Sequence, residues 1–105
     1  MSNTISTDLI PMKDVKDPKR IQITWQNPAM MQIGKGGVSD NIVGEAKRLL
    51  KKHQYIKVRI LRSAIGHINK HDIIQLLCQK TGAALDGVRG NTAVIYKTHQ
   101  MRGLQ

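Results

Sequence analysis

The chain has 105 residues, enough for one compact domain but too few for a barrel enzyme or a doubly wound domain. Lys and Arg number 17 against 7 Asp and Glu, a formal charge of +10, so the expected partner is a polyanion. Hydrophobic residues make up 40%, yet Phe is absent and only Trp25, Tyr55 and Tyr96 are aromatic, so the core must be built from Ile, Val and Leu.

In chain order, residues 1 to 20 mix Ser, Thr, Asp, Lys and two prolines without helical or alternating pattern. They read as a flexible arm, able to order on a partner, ahead of a domain spanning 21 to 105. The arm holds four basic and three acidic side chains, so nearly all the surplus charge belongs to the domain. Ile21-Gln-Ile-Thr-Trp25 alternates apolar and polar residues and predicts a short strand or extended lead-in, cut off by Asn27-Pro28. Met30 to Ile33 predicts a second short strand, stopped by Gly34-Lys35-Gly36-Gly37.

At Ser39 the pattern becomes helical. Ser39 is a good N-cap, Asp40 complements the helix dipole, and Ile42, Val43, Ala46, Leu49 and Leu50 recur at helical spacing. At about 100° per residue these five occupy one arc, with Lys47, Arg48, Lys51 and Lys52 centred opposite. Tyr55 to Leu61 alternates, with Ile56, Val58 and Ile60 on one side and Tyr55, Lys57 and Arg59 on the other, predicting a strand with one buried face. Asn69 caps a second helix, with Asp72 three residues on and Ile73, Ile74, Leu76, Leu77 and Cys78 as its apolar side; Thr81-Gly82 ends it. Ala84 to Val88 and Thr92 to Lys97 flank Arg89-Gly90-Asn91, a hairpin signal. Two helices among four strands predict an α/β fold, a compact two-layer sandwich in which both helices pack on a mixed four-stranded sheet.

The glycine-rich segment is the first chemical candidate, because glycines let backbone approach phosphates closely and the loop runs into a helix N-terminus. A P-loop needs four residues between its glycines, and a Rossmann fingerprint needs a third Gly where Ser39 stands, so neither fits. The GxxG form fits, which in KH-type modules clamps a nucleic-acid backbone; a tight structural turn also accounts for it. The basic helix is the second candidate. Residues 35 to 62 hold eight basic against two acidic side chains, and because this surplus starts at the GxxG loop it reads as a phosphate track rather than an ordinary solvated face.

Other constellations carry less. His67 and His71 have i, i+4 spacing, but no second cysteine or nearby acid completes a ligand set, so no metal and no cofactor is expected. Cys78, on an apolar helix, reads as a small buried hydrophobe. Glu45 and six scattered aspartates offer no recognisable acid-base arrangement, so an enzyme is not expected. Met30, Met31 and Trp25 read as core or cover rather than as an exposed patch. The single cysteine excludes an intramolecular disulfide. With no apolar run near the roughly 20 residues of a membrane span and no signal-peptide layout, a cytoplasmic location away from membranes is expected.

Four pieces in order resemble one family: Met31-Gln-Ile-Gly-Lys-Gly-Gly-Val-Ser-Asp-Asn-Ile-Val43; Leu49-Leu-Lys-Lys-His53 running into Tyr55-Ile-Lys-Val-Arg59; Lys80-Thr-Gly82; and Arg89-Gly-Asn-Thr-Ala-Val-Ile-Tyr96. They are similar to the CRM domain, the YhbY-like RNA-binding domain, over residues 30 to 97. The resemblance implies a fold similar to the C-terminal domain of translation initiation factor three. It also implies an RNA-binding loop at Gly34, Lys35, Gly36 and Gly37, extended by the basic helix. Family members often carry a helix before the first strand, where this chain shows a short alternation and Pro28. Stand-alone members are associated with the precursor of the large ribosomal subunit, so the expected partner is its ribosomal RNA. Lys47, Arg48, Lys51 and Lys52 are expected to supply charge to the contact, and Arg89 at the hairpin joins them. With few aromatics, backbone and shape should dominate recognition over base stacking. The rival expectations are a DNA-binding or chromatin protein and a ribosome-bound protein adaptor using the Met30-Met31 patch and the arm.

Overall fold

The computed structural model describes residues 16–66 and 68–98. Its elements are α1 (Pro18–Gln26), β1 (Met31–Ile33), α2 (Asp40–His53), β2 (Tyr55–Ile60), a 3-10 turn (Arg62–Ala64), α3 (Lys70–Thr81), β3 (Ala84–Arg89) and β4 (Thr92–Tyr96). The sheet order is β1-β2-β4-β3, with β1 parallel to β2 and the other pairs antiparallel. The expected α/β fold with a mixed four-stranded sheet is therefore observed, with α2 and α3 as the expected second layer on one face and α1 added on the other.

The helices around the core begin and end where local chemistry requires. Ser39 Oγ accepts from Ile42 N at 3.3 Å, and Asn69 Oδ1 accepts from Asp72 N at 2.9 Å, each satisfying an amide that has no partner within its helix. Gly82 closes α3 in the left-handed region at φ 78, its N–H donating to Cys78 O at 2.8 Å. Ala46 and Leu50 of α2 and Ile73, Ile74, Leu77 and Cys78 of α3 bury against Met31, Ile33, Ile56, Val58, Ile60, Ala93 and Ile95. This front layer is the aliphatic core that the composition demands.

The rear of the sheet departs from expectation. Residues 21 to 25 are helical, not extended, and the structured region reaches back past Ile21 to Lys16; the first fifteen residues of the expected arm lie outside the described residues. Asp17 Oδ1 accepts from Lys19 N at 3.0 Å and Pro18 occupies the first turn, a start signal stronger than a five-residue alternation. Ile21, Thr24 and Trp25, at i, i+3 and i+4, face inward, while Ile23 is 53% exposed. The helix that family members carry before the first strand is thus present here.

α1 docks on Tyr55 and Val94, with Tyr96 beside them. Tyr55, expected on the solvent side of β2, is buried, because α1 supplies a second apolar face there. The Tyr55 and Tyr96 rings stack at 5.7 Å, and the Arg20 guanidinium lies 4.5 Å above Tyr55. The Tyr55 hydroxyl accepts from Asp17 N at 2.9 Å. Lys57 Nζ donates to Trp25 O at 2.9 Å and Asn27 O at 3.1 Å, placing a cation on the carbonyl end of α1. Trp25 Nε1 donates to Asp86 Oδ2 at 2.9 Å, and Lys16 Nζ meets Asp86 Oδ1 at 2.7 Å. Partial burial alone would raise the Asp86 carboxyl, but the hydrogen bonds from Lys16 and Trp25 outweigh it and hold the group below its ordinary value.

Two measurements test this docking. In the helix, Ile21→Ala should cost about 2 kcal/mol in urea unfolding. Ile23→Ala should stay within about 0.5 kcal/mol; equal costs would restore the strand reading. Because the Asp86 pKa is lowered on folding, its stabilisation is complete above the unfolded carboxylate value and is lost as pH falls through the lowered one. Fluorescence of Trp25, the sole tryptophan, should therefore report loosening of α1 below about pH 4, and Asp86→Asn should remove that pH dependence.

Candidate nucleic-acid interface

The strand directions decide which loops meet. β1 and β2 run parallel and β4 runs against β2, so the C-terminal ends of β1, β2 and β3 share one end of the sheet with the start of β4. The Gly34–Gly37 loop, the 3-10 turn and the Gly90-Asn91 hairpin turn all lie there. Leu61 N donates to Ile33 O at 2.9 Å and Ile60 N to Asn91 O at 2.7 Å. Lys70 Nζ donates to Gly90 O, which brings the first turn of α3 to the same end.

The glycine loop is a closed turn, with Gly37 N donating to Gly34 O at 2.9 Å. Gly37 has φ +67, a conformation that favours glycine, and a Cβ at Gly36 would meet nothing within 4 Å. Gly34 faces the 3-10 turn, where an added Cβ would stand 3.6 Å from Leu61 Cδ1. Lys35 is exposed at the tip, and Val38 then anchors the chain in the core before Ser39 opens α2. The loop therefore presents bare backbone and one free-standing cation beside a helix N-terminus, the donor set that suits an anionic oxygen.

Lys47, Arg48, Lys51 and Lys52 are all exposed on α2, opposite the buried Ala46 and Leu50. At 1.5 Å per residue Lys51 lies about 18 Å along the axis from Ser39, so these cations form a track leading away from the loop. At its far end Lys47, Leu50, Lys51, Thr81 and Lys97 line an open groove of about 280 Å³, with Lys97 Nζ donating to Thr81 O at 2.9 Å. Lys97 is a basic neighbour that sequence reasoning missed, because no local pattern joins the end of β4 to α2.

Arg89 does not join this track. It lies on the rear of the sheet, its guanidinium 4.2 Å from the Trp25 ring centroid. Arg62, exposed in the 3-10 turn beside Gly34, was not singled out in the sequence; its only signal was its place in the basic run.

The remaining sequence candidates separate clearly. Among the described residues no group of three His, Cys, Asp or Glu side chains could hold a metal, and His67 lies outside them. Cys78 is buried, and burial pushes its thiol up to about 11. Met31 is 4% exposed and Met30 packs against the core, so the patch offered for an adaptor is not a free surface.

Comparison with known proteins places the chain in a family and a fold. The CRS1 / YhbY (CRM) domain family matches residues 21–97. The Bacillus subtilis (strain 168) protein named "Probable RNA-binding protein YqeI" is 34% identical over 68 residues, covering 65% of this chain and 69% of that one. The solution structure of SAV1595 from Staphylococcus aureus, described as a candidate RNA binding protein, superposes with a TM-score of 0.62 at 27% identity, over 76% of this chain and 82% of that one. With the family pattern spanning the domain from α1 to the end of β4, the chain belongs to the CRS1 / YhbY (CRM) domain family.

Proposed function

We propose that this protein binds folded RNA through its phosphate backbone, as a non-enzymatic factor acting on ribosomal RNA of the large subunit or its precursor. The observation that carries the reading is the Gly34–Gly37 turn, with exposed Lys35 at its tip, feeding directly into the basic face of α2. Backbone amides and Lys35 meet the phosphates at the loop, and Lys47, Arg48, Lys51 and Lys52 extend the contact along the helix. The RNA-binding names of the B. subtilis and S. aureus relatives support RNA as the polyanion. The assignment to the large subunit rests on the resemblance to stand-alone family members.

Recognition is mainly by shape and backbone. Tyr55 and Tyr96 stack on each other beneath α1 and Trp25 is engaged by Arg89 and Asp86, which leaves little aromatic surface for splayed bases. Affinity should accordingly fall steeply with salt. Replacing Lys35 and Lys51 by Glu should weaken binding to large-subunit RNA fragments about tenfold per lysine and flatten the salt slope by about one per site. Filter binding across a salt series, with duplex DNA as competitor, checks this. An unchanged double variant would move the interface elsewhere, and equal competition by duplex DNA would replace RNA with a general polyanion as the partner.

A further inference from the structure

Among the described residues, the rear of the sheet is covered only in part. α1 packs over Tyr55, Val94 and Tyr96, and its carbonyl end is held by Lys57. One side-chain row further along, about 7 Å on, the sheet carries residues that α1 does not bury. The register sets them in line: Gln32 of β1 lies opposite Arg59 of β2, Arg59 opposite Thr92 of β4, and Thr92 opposite Arg89 of β3. Gln32, Arg59 and Arg89 are exposed and Thr92 is half-exposed.

We infer that this cross-strand row, Gln32–Arg59–Thr92–Arg89, is a second docking track for the backbone of the bound RNA, which passes over the loop end of the sheet onto its rear face. The inference rests on the RNA-binding reading above and extends it to a face that neither the GxxG loop nor α2 reaches.

Charge is the first argument. Arg59 and Arg89 flank Thr92 one strand away on each side, about 10 Å apart at the backbone, and the row holds no carboxylate. Asp86, the acid of β3, is already engaged by Lys16 and Trp25. An exposed sheet row gains from opposite charges placed side by side, whereas this one gathers like charge, offset by the Asp86 carboxylate at Arg89 and by no described acid at Arg59. The Arg59 side chain makes no hydrogen bond or ion pair with any described residue, so none of them engages its guanidinium donors.

Preorganisation is the second. Arg89 lies over the Trp25 ring, and Trp25 is itself fixed by its bond to Asp86. Stacking holds the planar fork in place while leaving its edge donors for bidentate contact with phosphate oxygens. Thr92 Oγ1 gives its proton to Arg89 O at 2.8 Å, so the hydroxyl presents lone pairs outward, and the Gln32 amide offers both donor and acceptor. Uncharged acceptors beside phosphate-binding cations, Thr92 between the two arginines and Gln32 next to Arg59, suit a ribose 2′-hydroxyl, which DNA lacks.

Continuity is the third. Arg59 lies three residues before Arg62, whose turn abuts Gly34, and the backbone bond from Ile60 N to Asn91 O ties the hairpin turn to the same rim. Lys35 and Arg62 at the rim and Arg59 and Arg89 behind it therefore form one basic surface around the end of the sheet.

Arg59→Gln tests the row cleanly, since that side chain has no partner to lose among the described residues. With a large-subunit RNA fragment, Arg59→Gln should lose about tenfold in affinity and about one unit of salt slope, with an unchanged melting temperature. Arg59→Lys should keep the slope. Gln32→Cys carrying a photoactivatable group should crosslink to the RNA, the buried Cys78 thiol remaining unlabelled. Wild-type affinity and slope in Arg59→Gln, with no crosslink from position 32, would overturn the rear track; if the Lys35→Glu, Lys51→Glu variant still lost binding, the RNA reading would stand without it. Absence of RNA binding by the wild-type protein would overturn both.

Discussion

Everything in this domain hangs on the antiparallel pairing of β2 with β4, the two central strands, both buried on their two faces near the Tyr55–Tyr96 end. Ile56, Val58, Ile60, Ala93 and Ile95 point forward into the core with α2 and α3, while Tyr55 and Val94 point backward under α1. A sheet with helices on both sides must be apolar on both sides where they cover it. β2 and β4 satisfy that requirement with aliphatic residues in front and tyrosines and a valine behind. Because α1 covers only one end of the rear face, β2 changes character along its length, from buried at Tyr55 to exposed and basic at Arg59, while Tyr96 and Thr92 of β4 are both half-buried.

That change organises the electrostatics. The anchoring of α1 uses charges in pairs, Lys16 with Asp86 and Lys57 with the terminal carbonyls of the helix, so the cations around it serve the fold. Away from α1 the cations are solvent-facing: Lys35 at the glycine turn, Lys47, Arg48 and Lys52 on α2, Arg59 and Arg62 at the loop end. Self-repulsion among them opposes compaction, and an aliphatic core with satisfied caps offsets it. A polyanion that neutralises these charges releases counterions and gains affinity without needing any shaped pocket.

The backbone plays a comparable part. The Gly34–Gly37 turn depends on the positive φ of Gly37, and α2 begins two residues later at a side-chain cap. Loop and helix thus form one unit, in which a strand end, a turn without side chains at three of four positions and a helix N-terminus are held by the parallel pairing of β1 with β2. The basic face of α2 is aimed by burial of Ala46 and Leu50 on the opposite side of the helix.

The sequence alone determined the front half of the molecule. Ser39 and Asn69 as caps, Gly82 as a helix stop, the alternation of Ile56, Val58 and Ile60 and the Gly90-Asn91 turn are local signals, readable because each expresses a single-residue preference or a clear period. The basic face of α2 was legible for the same reason, as a helical period in charge. α1 was not, since five alternating residues also satisfy i, i+3, i+4 spacing, and only the Asp17 cap and the apolar rear of Tyr55 and Val94 decide between the two. Tertiary structure likewise decided that Arg89 stacks behind the sheet on Trp25, that Arg62 stands beside Gly34, and that Arg59 and Arg89 share a row across 30 residues of sequence. Those placements depend on strand register, which is set by long-range pairing and by which faces other elements cover, and no local pattern of residues encodes them.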